Sequence, residues 1–442
     1  MIKDTCTLVG NGTMLPNVES VSSNFLCTGC GICQAMCKQN AIRMTISKDY
    51  TYAPEVLREK CIGCGLCIKV CSGYKTDYDR LRMSVSMNGS ENLLLGSHLS
   101  CYIGYSRNPE LRWNASSGGV ITSLLTFAFK EGLIDGAVVT VKDPCNPLRP
   151  KAILARSADE VLSSKGSKYC PVTMGRAMRQ VLEEEGKFAV VGLPCHIHSI
   201  RNAEIFSKTL REHLVLHLGL FCSNTGNFEG TQCLLKKINV DKDRVISIDY
   251  RGNGWPGEMV VQLVGGKHAE ISYPQYWDCL FGSNFFTPWR CFFCIDATNE
   301  LADVSVGDPW LPESKEERHG KSIIVARTKE AETLLRKAAK EGNIGLSNIG
   351  SELVKQSQWL TIKSKKWATA GRMDIARRFG RTVPMIKPLP LSGGFGSDLC
   401  SVFTMTPRAL MSYEQFSVVL RYVPFPVLKA FFKLMSGFLL AS

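Results

Sequence analysis

Apolar residues are not spread evenly along the 442-residue chain. Between about 96 and 330 they gather into short runs bounded by Gly and Pro. Examples are Gly136-Ala-Val-Val-Thr-Val, Phe188-Ala-Val-Val-Gly and Leu214-Val-Leu-His-Leu-Gly-Leu-Phe. Such β-rich runs predict buried strands. Stretches over 120–130 and 172–185 predict helices between them, so this region reads as an α/β domain. From about 330 onward the pattern is helical and basic, with a clear helix over 330–340. A Pro/Gly-rich stretch at 384–397 interrupts it before an apolar tail over 416–440. That tail carries Arg421, Lys429 and Lys433, with Pro424 and Pro426 inside it. It suits a segment lying on a membrane surface or docking on a partner; a helix packed on its own domain is the plainer reading and is preferred. No segment offers 18 clean apolar residues, so no membrane span is expected.

Composition changes this picture only a little. A 45% hydrophobic fraction permits a sizeable core. The formal charge of +13 is spread along the chain without a dense basic block. A basic surface for an acidic redox partner, an anionic cofactor or a membrane face accounts for it as well as nucleic acid does, and no nucleic-acid partner is expected. Residues 1–15 contain one early lysine and no long apolar run, which is unlike a secretory signal. The expected location is the cytoplasm, with membrane association through the tail as an addition.

The cysteines change the picture most. There are 19, and eight fall in a repeated C-x2-C-x2-C-x3-C pattern. Cys27-Thr-Gly-Cys-Gly-Ile-Cys-Gln-Ala-Met-Cys recurs as Cys61-Ile-Gly-Cys-Gly-Leu-Cys-Ile-Lys-Val-Cys. An odd total and metal-ligand spacing argue for a reducing compartment rather than a disulfide framework. A [4Fe–4S] cube takes four thiolates, and in two-cluster runs the fourth cysteine serves the other cube. One cluster is therefore assigned to Cys27, Cys30, Cys33 and Cys71, the second to Cys61, Cys64, Cys67 and Cys37. Gly29, Gly31, Gly63 and Gly65 let the main chain approach the cubes. Zinc also uses C-x2-C pairs, but two duplicated four-cysteine runs are not a usual zinc spacing. Residues 25–75 resemble bacterial two-cluster ferredoxins, with one departure: Lys38 and Ser72 stand where those proteins usually have Pro.

Further along, Trp113-Asn-Ala-Ser-Ser-Gly-Gly-Val opens a predicted helix, and its backbone N–H groups suit an anion, although Ser/Gly caps are common. Gly166-Ser-Lys-Tyr pairs a lysine with an aromatic ring, as would a plain surface loop. Val191-Gly-Leu-Pro-Cys195, Cys222 and the Cys291-Phe-Phe-Cys294 pair supply four separated cysteines that suit either a third cluster or buried structural thiols. His196, His198, His213 and His217 read as core or supporting histidines on strands rather than metal ligands. The loop Tyr250-Arg-Gly-Asn-Gly-Trp-Pro-Gly reads either as a cover for a cofactor or as a hairpin connection. Cys6, Cys101, Cys145, Cys170, Cys233, Cys279 and Cys400 show no paired spacing and read as structural.

These stretches together, from Ser116-Ser-Gly-Gly through Gly166-Ser-Lys-Tyr, Gly192-Leu-Pro-Cys, Gly219-Leu-Phe-Cys and Cys291-x2-Cys to Ala302-Asp-x3-Gly-Asp, resemble the family formed by the beta subunits of coenzyme F420 hydrogenases and dehydrogenases. The resemblance implies an iron–sulfur flavoprotein. Cys195, Cys222, Cys291 and Cys294 become ligands of a third [4Fe–4S] cluster. Ser116, Ser117, Gly118, Gly119, Ser167, Lys168 and Tyr169 become FAD-site candidates. The expected architecture is an α+β ferredoxin-like domain over 1–85, an α/β flavin-binding domain over 96–330 and a basic helical region over 331–442. The expected activity is an oxidoreductase passing electrons between clusters, FAD and a two-electron carrier such as coenzyme F420. An electron-relay subunit serving a partner protein is the alternative. Purely structural clusters are improbable in such number.

Overall fold

The structure, a computed structural model, describes residues 17–83, 85, 92–389, 391, 395–411, 416 and 419–441. Expectations placed on residues 1–16, on the connector at 88–91, on Cys6 and on the side chain of Cys400 lie outside the described residues.

A mixed sheet of eight strands organises the larger domain. Its centre is four parallel strands in the order Val304–Gly307, Leu214–Leu220, Phe188–Gly192 and Gly136–Val141. These include the continuous apolar runs of the sequence. Continuous apolarity is what a parallel strand covered on both faces requires, and the middle of the sheet is fully buried. Lys151–Ala155 closes one edge antiparallel. On the other side Ser322–Ala326, Ser100–Ser106 and Ile344–Ile349 add on, also antiparallel.

The helix Val120–Lys130 has the predicted bounds. The helix expected over 172–185 begins only at Gly175. Met174 is its N-cap, and the free Met174 N–H donates to the Cys30 carbonyl at 2.9 Å, which anchors the helix start on the N-terminal module. Lys329–Lys340 is capped by the Thr328 side chain and buries Ala331, Leu334, Leu335 and Ala338 on one face.

The boundary expected at 330 needs correction. The helix Lys329–Lys340 runs across it, and Ile344–Ile349 then pairs with Ser100–Ser106. The region after 330 therefore begins as part of the sheet and is not purely helical. Its edge strand is only six residues long and carries Gly, Ser and Asn, so the apolar pattern there is too weak to read. The chain then supplies the helices Ser351–Ser357, Trp359–Lys366 and Ala368–Arg378. The strand Met385–Lys387 pairs parallel with Lys75–Asp77 of the N-terminal module.

That module is not an appendage. Its Leu26, Ile32, Met36, Tyr78 and Leu81 share one apolar core with Val138, Met178, Phe188, Ile197 and Trp289 of the α/β domain and Met373 and Ile386 beyond it. The two cysteine runs fold alike, as their repeat demands. Each puts a left-handed glycine, Gly31 or Gly65, immediately before a short helix, Ile32–Met36 or Leu66–Lys69.

The tail packs on its own domain. Phe285 stacks on Phe431 with ring centroids 5.7 Å apart, and Leu428 is buried. Lys237 Nζ donates to the carbonyls of Leu420 and Val423. Tyr422, Val427 and Leu434 stay exposed. Among the described residues, no helix is long and apolar enough to cross a membrane.

Candidate functional site

The carboxyl ends of the four parallel strands open into a cavity of about 380 Å³. Thr140, Gly192, Leu220 and Gly307 line it. Open α/β sheets take ligands at this end of their strands, because the loops and helix N-termini there point at the crevice. A volume in this range is typical of small-molecule sites.

Cys195, Cys222, Cys291 and Cys294 all line this cavity, although they come from separate stretches of sequence. Cys195 sits in the first turn of the helix Pro194–Phe206, directly after the strand Phe188–Gly192. Cys222 follows the strand Leu214–Leu220, and Cys291 lies in the short helix Trp289–Phe292. Burial pushes the Cys222 thiol up to about 12, with Cys291 and Cys294 adding to the rise. Cys195 is raised by burial, then by Cys222, Cys30, Cys291 and Cys294.

Six of the seven residues tied to flavin by resemblance line the same cavity: Ser116, Ser117, Gly119, Ser167, Lys168 and Tyr169. Gly118 does not. Its open side faces the Gly104 carbonyl, which a Cβ would meet at 2.6 Å, and its N–H donates to Ser322 Oγ. Ser116 Oγ accepts from Ser167 N at 2.6 Å, tying the two loops together. Gly119 caps Val120–Lys130 in the left-handed conformation without a side-chain bond, and the first turn of that helix, Val120 to Thr122, lines the cavity. Lys168 points its ammonium elsewhere than sequence suggests: it donates to the carbonyls of Ser164, Lys165 and Gly166. Burial brings it down to about 7.

Tyr250–Gly257 does connect an antiparallel pair of strands, and it also braces the cavity wall. Arg251 is buried, donates to Tyr169 Oη and Asp308, and reaches the Ser116 carbonyl. Trp255 Nε1 donates to Asp308 Oδ1 at 2.7 Å.

The N-terminal thiols interleave between the runs, with Cys71 beside first-run thiols and Cys37 beside Cys67. Cys33 is raised by burial and by Cys30, Cys27, Cys71 and Cys67. Cys71 is pushed up to about 12 by burial and by Cys30. Cys67, raised by burial, has Cys64 and Cys37 as its thiol neighbours. The runs differ in depth. A Cβ on Gly31 would meet Thr173 Oγ1 at 2.1 Å and Gly175 N at 2.7 Å, whereas one on Gly63 or Gly65 would meet nothing within 4 Å. The first run is pressed into the α/β domain. The second faces solvent, with Cys61 and Cys64 exposed.

The histidines are supporting residues. His196 and His198 lie on the helix Pro194–Phe206 and His213 ends the helix Lys208–His213, rather than on strands; only His217 of the four lies on one. His198 Nε2 pairs with Asp296 Oδ2 at 3.0 Å, and His213 Nδ1 with the Val181 carbonyl at 2.9 Å. His217 is held between Glu204 (2.7 Å) and Asp303 (3.1 Å), which also bind Arg201. Among the described residues, no three His, Cys, Asp or Glu side chains converge as a single metal ion requires.

Two residues of the site carry no signal in the sequence. Lys365 is buried, and its Nζ donates to Cys294 Sγ at 3.3 Å and to the Asp296 carbonyl at 2.8 Å. Burial alone would lower this ammonium; Cys294, Cys222 and Cys291 more than offset that and hold it raised. Arg290 donates to the carbonyls of Ser72, Gly73 and Phe293 and so clamps the end of the second run against the Cys291 loop. A lone Lys or Arg in a basic helical stretch or beside a Trp has no spacing to betray it.

Interleaved thiols at two depths, set beside a cysteine-lined strand-end cavity, define an iron–sulfur electron-transfer protein of mixed α/β build. Comparison with known proteins narrows the class. The chain belongs to the family of coenzyme F420 hydrogenase/dehydrogenase beta subunits: residues 101–179 match the N-terminal part of such proteins and 185–352 their C-terminal part. Residues 26–73 match a 4Fe-4S dicluster domain. The chain is 25% identical over 268 residues to the coenzyme F420 hydrogenase subunit beta of Methanosarcina barkeri, covering 57% of this chain and 82% of that protein. It is 26% identical over 260 residues to the coenzyme F420 hydrogenase subunit beta of Methanothermobacter thermautotrophicus, covering 57% and 84%. A chain of the F420-reducing [NiFe] hydrogenase complex of Methanosarcina barkeri shares the fold, with a TM-score of 0.52 at 22% identity, over 68% of this chain and 99% of that one.

Proposed function

We propose that this chain is an iron–sulfur flavoprotein oxidoreductase. In this reading it moves electrons between [4Fe–4S] clusters, FAD and a two-electron carrier such as coenzyme F420. The observation that carries the proposal is the shared cavity: four cysteines and six flavin-site candidates face one space at the strand ends.

The donor sets suit clusters. Buried thiols that raise one another do not ionise without a cation, and iron supplies it. Two duplicated four-cysteine runs are a cluster spacing rather than a usual zinc spacing. Cys27, Cys30, Cys33 and Cys71 would hold one cube, Cys61, Cys64, Cys67 and Cys37 a second, and Cys195, Cys222, Cys291 and Cys294 a third. The flavin fit rests on the N–H groups behind Gly119, which suit a phosphate, and on Tyr169, Trp277, Phe281 and Trp310, which line the cavity with aromatic faces. When bound, FAD exchanges two electrons with a hydride carrier and one at a time with clusters.

The residues then have plain tasks. Arg251 holds Ser116, Tyr169 and Asp308 in one arrangement, so the ring site is fixed before a ligand arrives. Lys168, occupied by its own loop carbonyls, shapes the Gly166–Tyr169 turn rather than gripping a phosphate. Lys365 places a positive charge beside Cys294. The exposed Cys61–Cys64 loop offers a protein partner contact at the surface, and the basic chain suits an acidic one.

Anaerobic purification with iron, sulfide and flavin analysis tests this. About twelve irons and one FAD per chain are expected from three cubes, with flavin bleaching on addition of reduced F420. About eight irons without flavin would overturn the third cluster and the flavoprotein reading. Full cofactors without F420 turnover would favour an electron-relay subunit.

A further inference from the structure

Ser72 follows the last cysteine of the second run, where two-cluster ferredoxins usually carry Pro. The corresponding position after the first run, Lys38, is exposed. Ser72 is buried, and it meets Ser199 of the helix that carries Cys195 in its first turn. Ser72 N donates to Ser199 Oγ at 3.2 Å, and the two hydroxyls are 2.8 Å apart. Ser72 Oγ donates to the Cys195 carbonyl at 3.0 Å. Ser199 Oγ lies 3.4 Å from Cys30 Sγ. A continuous hydrogen-bonded path thus joins Cys30 to Cys195 through two side chains.

The path becomes better ordered once the cysteines are thiolates. Cys30 sulfur can then only accept, so the Ser199 hydroxyl turns to it. The Ser72 N–H satisfies Ser199 Oγ, and the Ser72 hydroxyl keeps the Cys195 carbonyl. Every donor has one acceptor, and none is left over. A proline at 72 would remove both the N–H and the hydroxyl and cut the path twice. Arg290, donating to the Ser72 and Phe293 carbonyls, fixes the same junction from the cavity side.

We propose that Ser72 and Ser199 are the coupling residues between the Cys27/Cys30/Cys33/Cys71 group and the Cys195/Cys222/Cys291/Cys294 group, and that Ser in the place of Pro makes the N-terminal module a donor to its own chain. This rests on the reading that both groups hold [4Fe–4S] clusters. Cys27, Cys30, Cys33 and Cys71 would hold the cluster that gives up one electron, and Cys195, Cys222, Cys291 and Cys294 the one that would take it. No bond forms or breaks and no proton need move, and two such steps supply a two-electron carrier. The electrons come from a low-potential one-electron donor acting at the exposed run.

The full chain, purified anaerobically, is pulse-reduced with methyl viologen radical and followed by freeze-quench EPR, with potentiometric titration alongside. Ser199→Ala is expected to keep the iron content, lower the midpoint potential of the Cys30 group by loss of a hydrogen bond to sulfur, and slow reduction of the Cys195 group several-fold. Ser72→Ala should slow transfer with a smaller change of potential, and Ser72→Pro should slow it most. If Ser72→Pro does not fold, the two alanine variants still decide the matter. Unchanged potentials and rates at full iron content would overturn the coupling role alone. A wild-type protein with about eight irons would overturn the third cluster, and the coupling with it.

Discussion

Gly31 and Gly63 lie in the two matching cysteine runs, and both have positive φ, 78° and 68°. Their surroundings separate them. Gly63→Ala meets no protein atom and should cost the conformational penalty of about 1–2 kcal/mol. Gly31→Ala adds a collision with the backbone of Gly175. It should displace the first run from the α/β domain, with loss of iron and a far larger fall in melting temperature. Equal melting shifts in the two variants would contradict the depth difference. Lys365 makes a second prediction at this scale. Removing a positive charge and a donor from beside a cluster thiolate disfavours the added electron. Lys365→Met should therefore lower the potential of the cavity-side cluster, and Lys365→Arg should restore part of it, as read by EPR-monitored titration. An unmoved potential would remove Lys365 from the redox site.

At the scale of elements, one charged knot ties the helix Pro194–Phe206, the strand Leu214–Leu220 and the turn before Val304–Gly307. Arg201, Glu204, His217 and Asp303 are all buried in it. Burial and Arg201 push His217 down, but Glu204 and Asp303 outweigh them and hold it raised. Despite burial, Glu204 is held low by His217 and Arg201. His217 therefore stabilises the fold fully below its unfolded value of about 6.5, and that contribution is lost as pH rises through its higher folded value. Glu204 acts in the opposite sense: its contribution is present above about pH 4.3 and lost as pH falls through its lowered value. Denaturant midpoints measured across pH should fall on both sides of a plateau. His217→Ala leaves Glu204 and Asp303 with Arg201 but removes one buried donor from each; it should cost about 1–3 kcal/mol and should flatten the alkaline limb. The strand Leu214–Leu220 of this knot was legible in the sequence because its run is almost continuously apolar, whereas Val304–Gly307, with Ser305 inside it, was not read as a strand. The edge strand Ile344–Ile349 was not, because it carries Gly, Ser and Asn among its few apolar residues. The anchoring of Gly175–Glu183 was equally hidden, since the carbonyl that its N-cap binds belongs to Cys30, far away in sequence.

For the whole molecule, the two N-terminal cysteine runs were legible because cluster ligands have fixed spacing, whereas the Ser/Gly loops and the four separated cysteines were assigned their roles only through the family resemblance. Lys365, Arg290 and Ser199 were not, since they reach the site from helices whose own pattern is ordinary. Nor did the sequence betray that the N-terminal module shares its core with both later regions. That sharing makes a prediction about fragments. Residues 1–85 expressed alone would expose Leu26, Ile32 and Tyr78, and should aggregate or lose the iron of the inner group. Truncation after 330 removes an edge strand and Lys365, and should prevent folding of the α/β domain. A monomeric 1–85 fragment carrying two full clusters by iron analysis would show that the shared core is dispensable.

The difference in depth between the two cysteine runs also sets the order in which the protein ages. Oxygen reaches Cys61 and Cys64 from bulk solvent, while the run at Gly31 is shielded by the domain on which it rests. Air would strip the outermost cube first. A preparation damaged in this way would keep its inner metal and its colour while losing its solvent-facing thiols, so it would look intact by eye and yet lack its outermost electron carrier.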